Sequence, residues 1–221
     1  MAQEIKISLP VYKIVYAACC VLIVSIIRGV SLTYEIGIAL EGPLAILAAV
    51  FCADTYTQEI VSRRSELQRL YPMRKRVASI AKRIAVQQVF LWGLSMLGYG
   101  LFFVFQKPLS PDMGCAENEI NQFLVYAGAI FITLDFWGIL SNTLAGMLRN
   151  TWFGIGGCLI LWIITNSGFG DRCLGNWNVF SYTFRDVTNS SDFRWIYGKI
   201  LCISACILMT AGLPKLLKER G

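Results

Sequence analysis

Apolar runs of about 20 residues recur from one end of the sequence to the other, and each can cross a hydrocarbon layer of about 30 Å as a helix. They fall at residues 11–30, 36–54, 84–105, 123–147, 152–167 and 196–213, with short polar breaks between them. A segment surrounded by lipid must satisfy its backbone polar groups internally, which leaves helices or closed barrels. Runs this long, without alternation of apolar and polar residues, select helices. The expected fold is all-α: one polytopic transmembrane domain over residues 1–221 with six spans. Composition agrees, since 56% of the 221 residues are hydrophobic and 15% charged, against about 45–50% and about 25% in soluble domains. The first run is longer than a signal-peptide core and no small-residue cleavage site follows it, so it is read as a retained span.

Charge sets the orientation. The segment 56–83 carries Arg63, Arg64, Arg69, Arg74, Lys75, Arg76, Lys82 and Arg83 against Glu59 and Glu66, and basic loops stay in the cytoplasm. Lys6, Lys13, Arg149, Lys215, Lys218 and Arg220 fall on the same side, so both termini are expected to be cytoplasmic, with segments 106–122 and 168–193 facing outward. The net charge of +6 is thereby accounted for by topology, and no nucleic-acid partner is implied. The absence of histidine removes the commonest general base and the zinc motifs of membrane metalloproteases. Neither catalytic residues nor a metal site are expected.

Of eight cysteines, Cys115 and Cys173 lie in the two outer segments, where they could form a disulfide or remain two free thiols. The other six lie in or beside the spans and are read as small packing residues.

Within the basic segment, Ile60, Leu67, Leu70 and Tyr71 recur at helical spacing, and Pro72 ends the pattern. Periodicity alone describes a short helix lying on the membrane surface, its arginines against anionic headgroups. The order of residue types says more. An acidic residue (Glu59), an arginine pair (Arg63, Arg64), leucines (Leu67, Leu70), Pro72, a basic cluster from Arg74 and then Lys82 in the next helix resemble the cytoplasmic loop of type-2 ABC transporter permeases. Met73 and Arg74 depart from that pattern, standing where many members have a small hydroxyl residue.

The resemblance implies that this loop, Tyr71 included, holds the coupling helix that docks into an ATPase subunit. It further implies two ABC ATPase subunits, which bind the ATP and Mg, and a second permease copy or a homologous permease. The implied role is ATP-driven export of a hydrophobic or amphipathic substrate, such as a short peptide, across a bacterial cytoplasmic membrane. This chain contains no G-x-x-x-x-G-K-[ST] sequence, so the nucleotide site is expected in a separate polypeptide and no cofactor on this one.

Arg28, Glu41 and Asp135 are charged residues inside the apolar runs. Ionised groups at such depth face the protein interior or a water-filled cavity. Asp135 is read as a pathway residue or as a structural hydrogen-bonding group. Arg28 and Glu41 have two readings, an ion pair across the first helical hairpin, or Arg28 reaching the outer headgroups with Glu41 in a wet vestibule. Gly42 and Pro43 are expected to kink the second span. The outer stretch carrying Trp177, Phe180, Tyr182 and Phe184 either dips back into the outer leaflet, as the resemblance implies, or lies at the lipid interface. Two rival functions fit the same sequence, a non-transporting accessory or immunity protein and, with less support, an intramembrane enzyme using Ser-Lys or carboxylate chemistry.

Overall fold

The computed structural model describes residues 7–55, 73–109, 119–185 and 192–220. These are helical, in the order α1 (Val11–Ile27), α2 (Glu35–Cys52), α3 (Met73–Phe105), α4 (Glu119–Leu148), α5 (Thr151–Thr165), α6 (Gly168–Leu174), a 3-10 turn at Gly175–Trp177, and α7 (Trp195–Arg220). Among the described residues, strand pairing is limited to one isolated bridge between Leu32 and Leu109. Each predicted apolar run coincides with one of α1 to α5 or α7.

Among the described residues, four helices, α2, the Val77–Phe105 part of α3, α4 and the Trp195–Pro214 part of α7, are long and apolar enough to cross a membrane. A fifth is added if α5 and its continuation through Trp177, bent by 76°, count as one. α1 is apolar but has 17 residues, about 25 Å of helix. The outward faces of α1, α5 and α7 carry large apolar side chains, among them Val15, Ile23, Ile27, Phe153, Ile160, Ile163, Ile207 and Leu208. Such surfaces suit hydrocarbon rather than water, and the chain has the make-up of a multi-pass membrane protein.

α4 is the hub, packing along α2, α5 and α7 and also against α3. α2 is the most enclosed of the long helices and α7 the least, with 72% and 17% of their apolar windows buried. The α4–α5 hairpin turns in two residues because Arg149 adopts a left-handed φ of 55° and Asn150 caps α5 by accepting from the Trp152 N–H at 2.9 Å. Beyond that turn Gly154 lies so close to Ala145 that an added Cβ would sit 2.7 Å from the Ala145 nitrogen. Pro43 is accommodated inside α2, where the Trp162 indole of α5 donates to the Gly42 carbonyl at 2.9 Å. Neighbouring helices commonly satisfy backbone groups beside such a proline.

The end of α1 is closed from a distance by one side chain. The Gln106 amide donates to the carbonyls of Arg28 at 2.8 Å, Ser25 at 3.0 Å and Ile26 at 3.3 Å, and its oxygen accepts from the Val30 N–H at 2.9 Å. Helix ends leave carbonyls without intrahelical partners, and here a residue just past α3 supplies them. Gln106→Ala is expected to lower stability by about 1–2 kcal/mol, read from denaturant titration of the purified protein in micelles. An unchanged midpoint would mean that water closes this end equally well.

Candidate functional site

The chemistry concentrates in a buried cluster where α2, α4, α7 and the segment 178–184 meet. Glu41 of α2 and Lys199 of α7 are 1% and 2% exposed and form an ion pair. Thr133 of α4 lies between them, donating to Glu41 Oε1 at 2.8 Å and accepting from Lys199 Nζ at 2.7 Å. Lys199 gives a further hydrogen bond to the Val179 carbonyl at 3.0 Å, and the Thr183 hydroxyl donates to Glu41 Oε2. Both carboxylate oxygens are engaged and the three ammonium donors have three acceptors. Burying two charges is tolerable only under such saturation. The cluster is a closed fastening between four parts of the chain.

The segment 178–184 is held in place by polar bonds to its surroundings. Asn178 donates to the Thr165 carbonyl at the end of α5 at 2.8 Å, and its oxygen accepts from the Phe180 N–H at 3.1 Å. Ser181 donates to the Trp195 carbonyl at 2.7 Å. Phe180 is fully buried, stacked on Trp137 at 5.7 Å and edge-on to Trp162 at 6.5 Å. Tyr182 is buried against Trp195. Of the four aromatic residues anticipated here, Phe180 and Tyr182 enter the bundle, whereas Trp177 and Phe184 stay exposed.

Of the two readings of Arg28 and Glu41, the ion pair across the first hairpin is not formed, and Glu41 lies in a closed cluster rather than a wet vestibule. Arg28 lies beyond the last turn of α1, exposed, in extended backbone, with its carbonyl held by Gln106. Glu41 is inside the bundle with Lys199 instead. Lys199, Thr133 and Thr183 escaped the sequence reading, although a lone lysine close to the start of an apolar run was a usable signal.

Asp135 differs from Glu41. It is half-buried on α4, near the thiols of Cys52 and Cys206, and among the described residues no hydrogen bond or ion pair engages its carboxylate. At the opposite end of the bundle from the Glu41 cluster, Lys13 of α1 pairs with Asp54 and donates to the Phe51 carbonyl at 2.7 Å. Beside it Gln87 of α3 donates to the Ser8 carbonyl at 3.1 Å and accepts from Thr55 at 2.8 Å. These bonds fasten α1, the end of α2 and α3 together where the basic segment departs.

Glu59, Arg63, Arg64, Leu67, Leu70, Tyr71 and Pro72 lie outside the described residues, and Arg74 falls in the first turn of α3. Cys173 is exposed on α6, while Cys115 lies outside the described residues. No three or more His, Cys, Asp or Glu side chains gather as a metal site among the described residues. Compared with family models, curated proteins and solved structures, the chain matches none.

Proposed function

We propose that this chain is the membrane-spanning permease subunit of an ABC transporter, with six spans and both termini in the cytoplasm. It pairs with a second permease, identical or homologous, and docks two ATPase subunits through the segment around Leu67 and Leu70. ATP hydrolysis in those partners drives export of a hydrophobic or amphipathic substrate.

The observation that carries this reading is the continuity of α3. The helix starts at Met73, directly after Pro72, and runs unbroken for 33 residues to Phe105, about 50 Å. A basic, cytoplasm-type stretch and an apolar span are thus one rod. A push on the docking segment before Pro72 is delivered to the far end of the bundle without a flexible joint. At that far end Gln106, immediately after the rod, holds the end of α1. A surface helix that only binds headgroups has no need of such a connection.

The test is co-purification of the detergent-solubilised chain with defined ABC ATPases, comparing wild type with a Leu67→Asp, Leu70→Asp double variant. Retention of an ATPase by wild type and its loss from an equally folded variant is the expected result. Retention that ignores both leucines moves the docking site elsewhere. Failure of every ATPase to bind removes the transporter reading and leaves that segment as a surface helix.

A further inference from the structure

α3 and α7 both pack on α4 but scarcely touch each other. They leave a stripe of α4 uncovered, running through Leu124, Gly128 and Phe131 to Asp135. Leu124 and Phe131 are 60% and 41% exposed, and a Cβ built on Gly128 would meet nothing within 4 Å. One turn beyond Asp135 the opening is shut, because Ile139 of α4, Leu213 of α7 and Val77 of α3 close around Ile80 and Ile84. The stripe is therefore a lateral crevice with an apolar floor, and Asp135 stands just above the floor.

Two acceptors in this region lack donors. The Asp135 carboxylate has no hydrogen bond or ion pair among the described residues. Gln88 of α3 is 3% exposed and its Oε1 is a buried oxygen with no partner. The Gln88 amide presses on Gly138, one turn along α4 from Asp135, and its nitrogen is taken up by a weak contact with Cys52 Sγ at 3.8 Å. Among the described residues no ion pair offsets the carboxylate. Lys199 is committed to Glu41 and Lys13 to Asp54. Cys52 of α2 and Cys206 of α7 lie in the neighbourhood of Asp135. An uncompensated carboxylate at the base of an apolar groove, with an orphaned amide packed on α4 one turn along from it, calls for a group with several N–H donors and a positive charge.

We infer that Asp135 and Gln88 anchor the ammonium head of a cationic amphiphile, whose hydrocarbon body lies along the α4 stripe. The head reaches the carboxylate from the bilayer side, and Phe131, packed edge-on to Trp92 of α3 at 6.1 Å, lines the path of the tail. This assignment names the substrate class of the exporter proposed above and rests on that reading for its transport role. The binding itself needs no ATPase.

The experiment uses the purified chain in phosphatidylcholine nanodiscs. It titrates a dansyl-labelled long-chain alkylamine and, separately, the alcohol of the same chain length. Wild type is expected to bind the amine roughly tenfold more tightly than the alcohol, the scale of one hydrogen bond to a charged group. Asp135→Asn abolishes that preference while alcohol binding persists, which also reports that the variant is folded. Gln88→Met reduces the preference partially. Equal binding of the two probes by wild type, or a preference that survives Asp135→Asn, overturns the assignment. So does disulfide crosslinking of two chains through Gly128→Cys, because the crevice would then be covered by a second copy. Failure of ATPase capture with the amine preference intact would remove the transporter and leave the site. The reverse outcome would remove the site and leave the transporter.

Discussion

Lys199→Met lowers the unfolding free energy by about 3–5 kcal/mol, the usual consequence of leaving one charge of a buried pair without its partner. Enclosure sets the size of the loss. Glu41 is 1% exposed, so no solvent replaces the lost ammonium, and the two threonine hydroxyls that remain beside it supply no charge. The Val179 carbonyl loses its donor as well, which loosens the segment 178–184 from the inside. Reversible unfolding in mixed micelles measures the change. The companion variant Glu41→Gln, Lys199→Met carries no buried charge and is expected to recover more than half of the loss, because an apolar or neutral replacement of a whole pair is often tolerated. Their difference in a double-mutant cycle isolates the coupling between the two side chains. A single-variant loss below about 1 kcal/mol would show that water reaches Glu41 and that the cluster is open rather than closed.

That fastening bears on how such a bundle moves. It joins the most enclosed helix, α2, to the least enclosed, α7, through the hub α4, and it ties in a loop that lies between two helices. Movement of α7 away from α4 must break the pair or carry Glu41 with it. The Lys13–Asp54 pair and the Gln87 bonds do the corresponding work at the other end. Between these two fastenings α4 carries Asp135, whose carboxylate no protein group fastens. The contrast between satisfied charges at the ends and an unsatisfied one between them is what separates framework from candidate ligand site here.

Hydrophobic run length located the helices because it reports what each segment needs from its surroundings, and that need is local. The runs at 36–54 and 123–147 match α2 and α4 closely. The third run begins at residue 84, yet α3 begins at Met73, since a basic stretch continues a helix without any apolar signature. Which charges meet is a different kind of information. Arg28 was a natural partner for Glu41 because both lie in one hairpin, but Gln106 and an extended backbone end α1 before Arg28 can turn inward. The actual partner is 158 residues away in sequence, and one sequence carries no record of that proximity. The aromatic stretch likewise showed that rings would seek an apolar medium, without distinguishing Phe180 and Tyr182, which found it in the bundle, from Trp177 and Phe184, which did not.

Gly198→Ala is expected to destabilise the protein by about 1–3 kcal/mol through overpacking and, more tellingly, to detach the segment 178–184. Gly198 sits in the first turn of α7, where an added Cβ would overlap the Asn178 carbonyl oxygen and the Ser181 hydroxyl. Backbone is the harder obstacle, because it cannot rotate away as a side-chain end can. Asn178 is itself held to the Thr165 carbonyl and to the Phe180 N–H, so relief requires the whole loop to lift. Lifting it withdraws Val179 from Lys199 and Thr183 from Glu41, and it pulls Phe180 off Trp137. The expected readout is a rise in cysteine accessibility at Thr183→Cys when Gly198→Ala is added, together with a lower unfolding midpoint. Gly157→Ala is the control, since a Cβ there would meet Leu144 Cδ1 at 3.3 Å, the movable end of a leucine. If Gly198→Ala leaves residue 183 as protected as before, the loop is not seated on α7 by that glycine, and the close approach of the two segments has no part in holding the cluster shut.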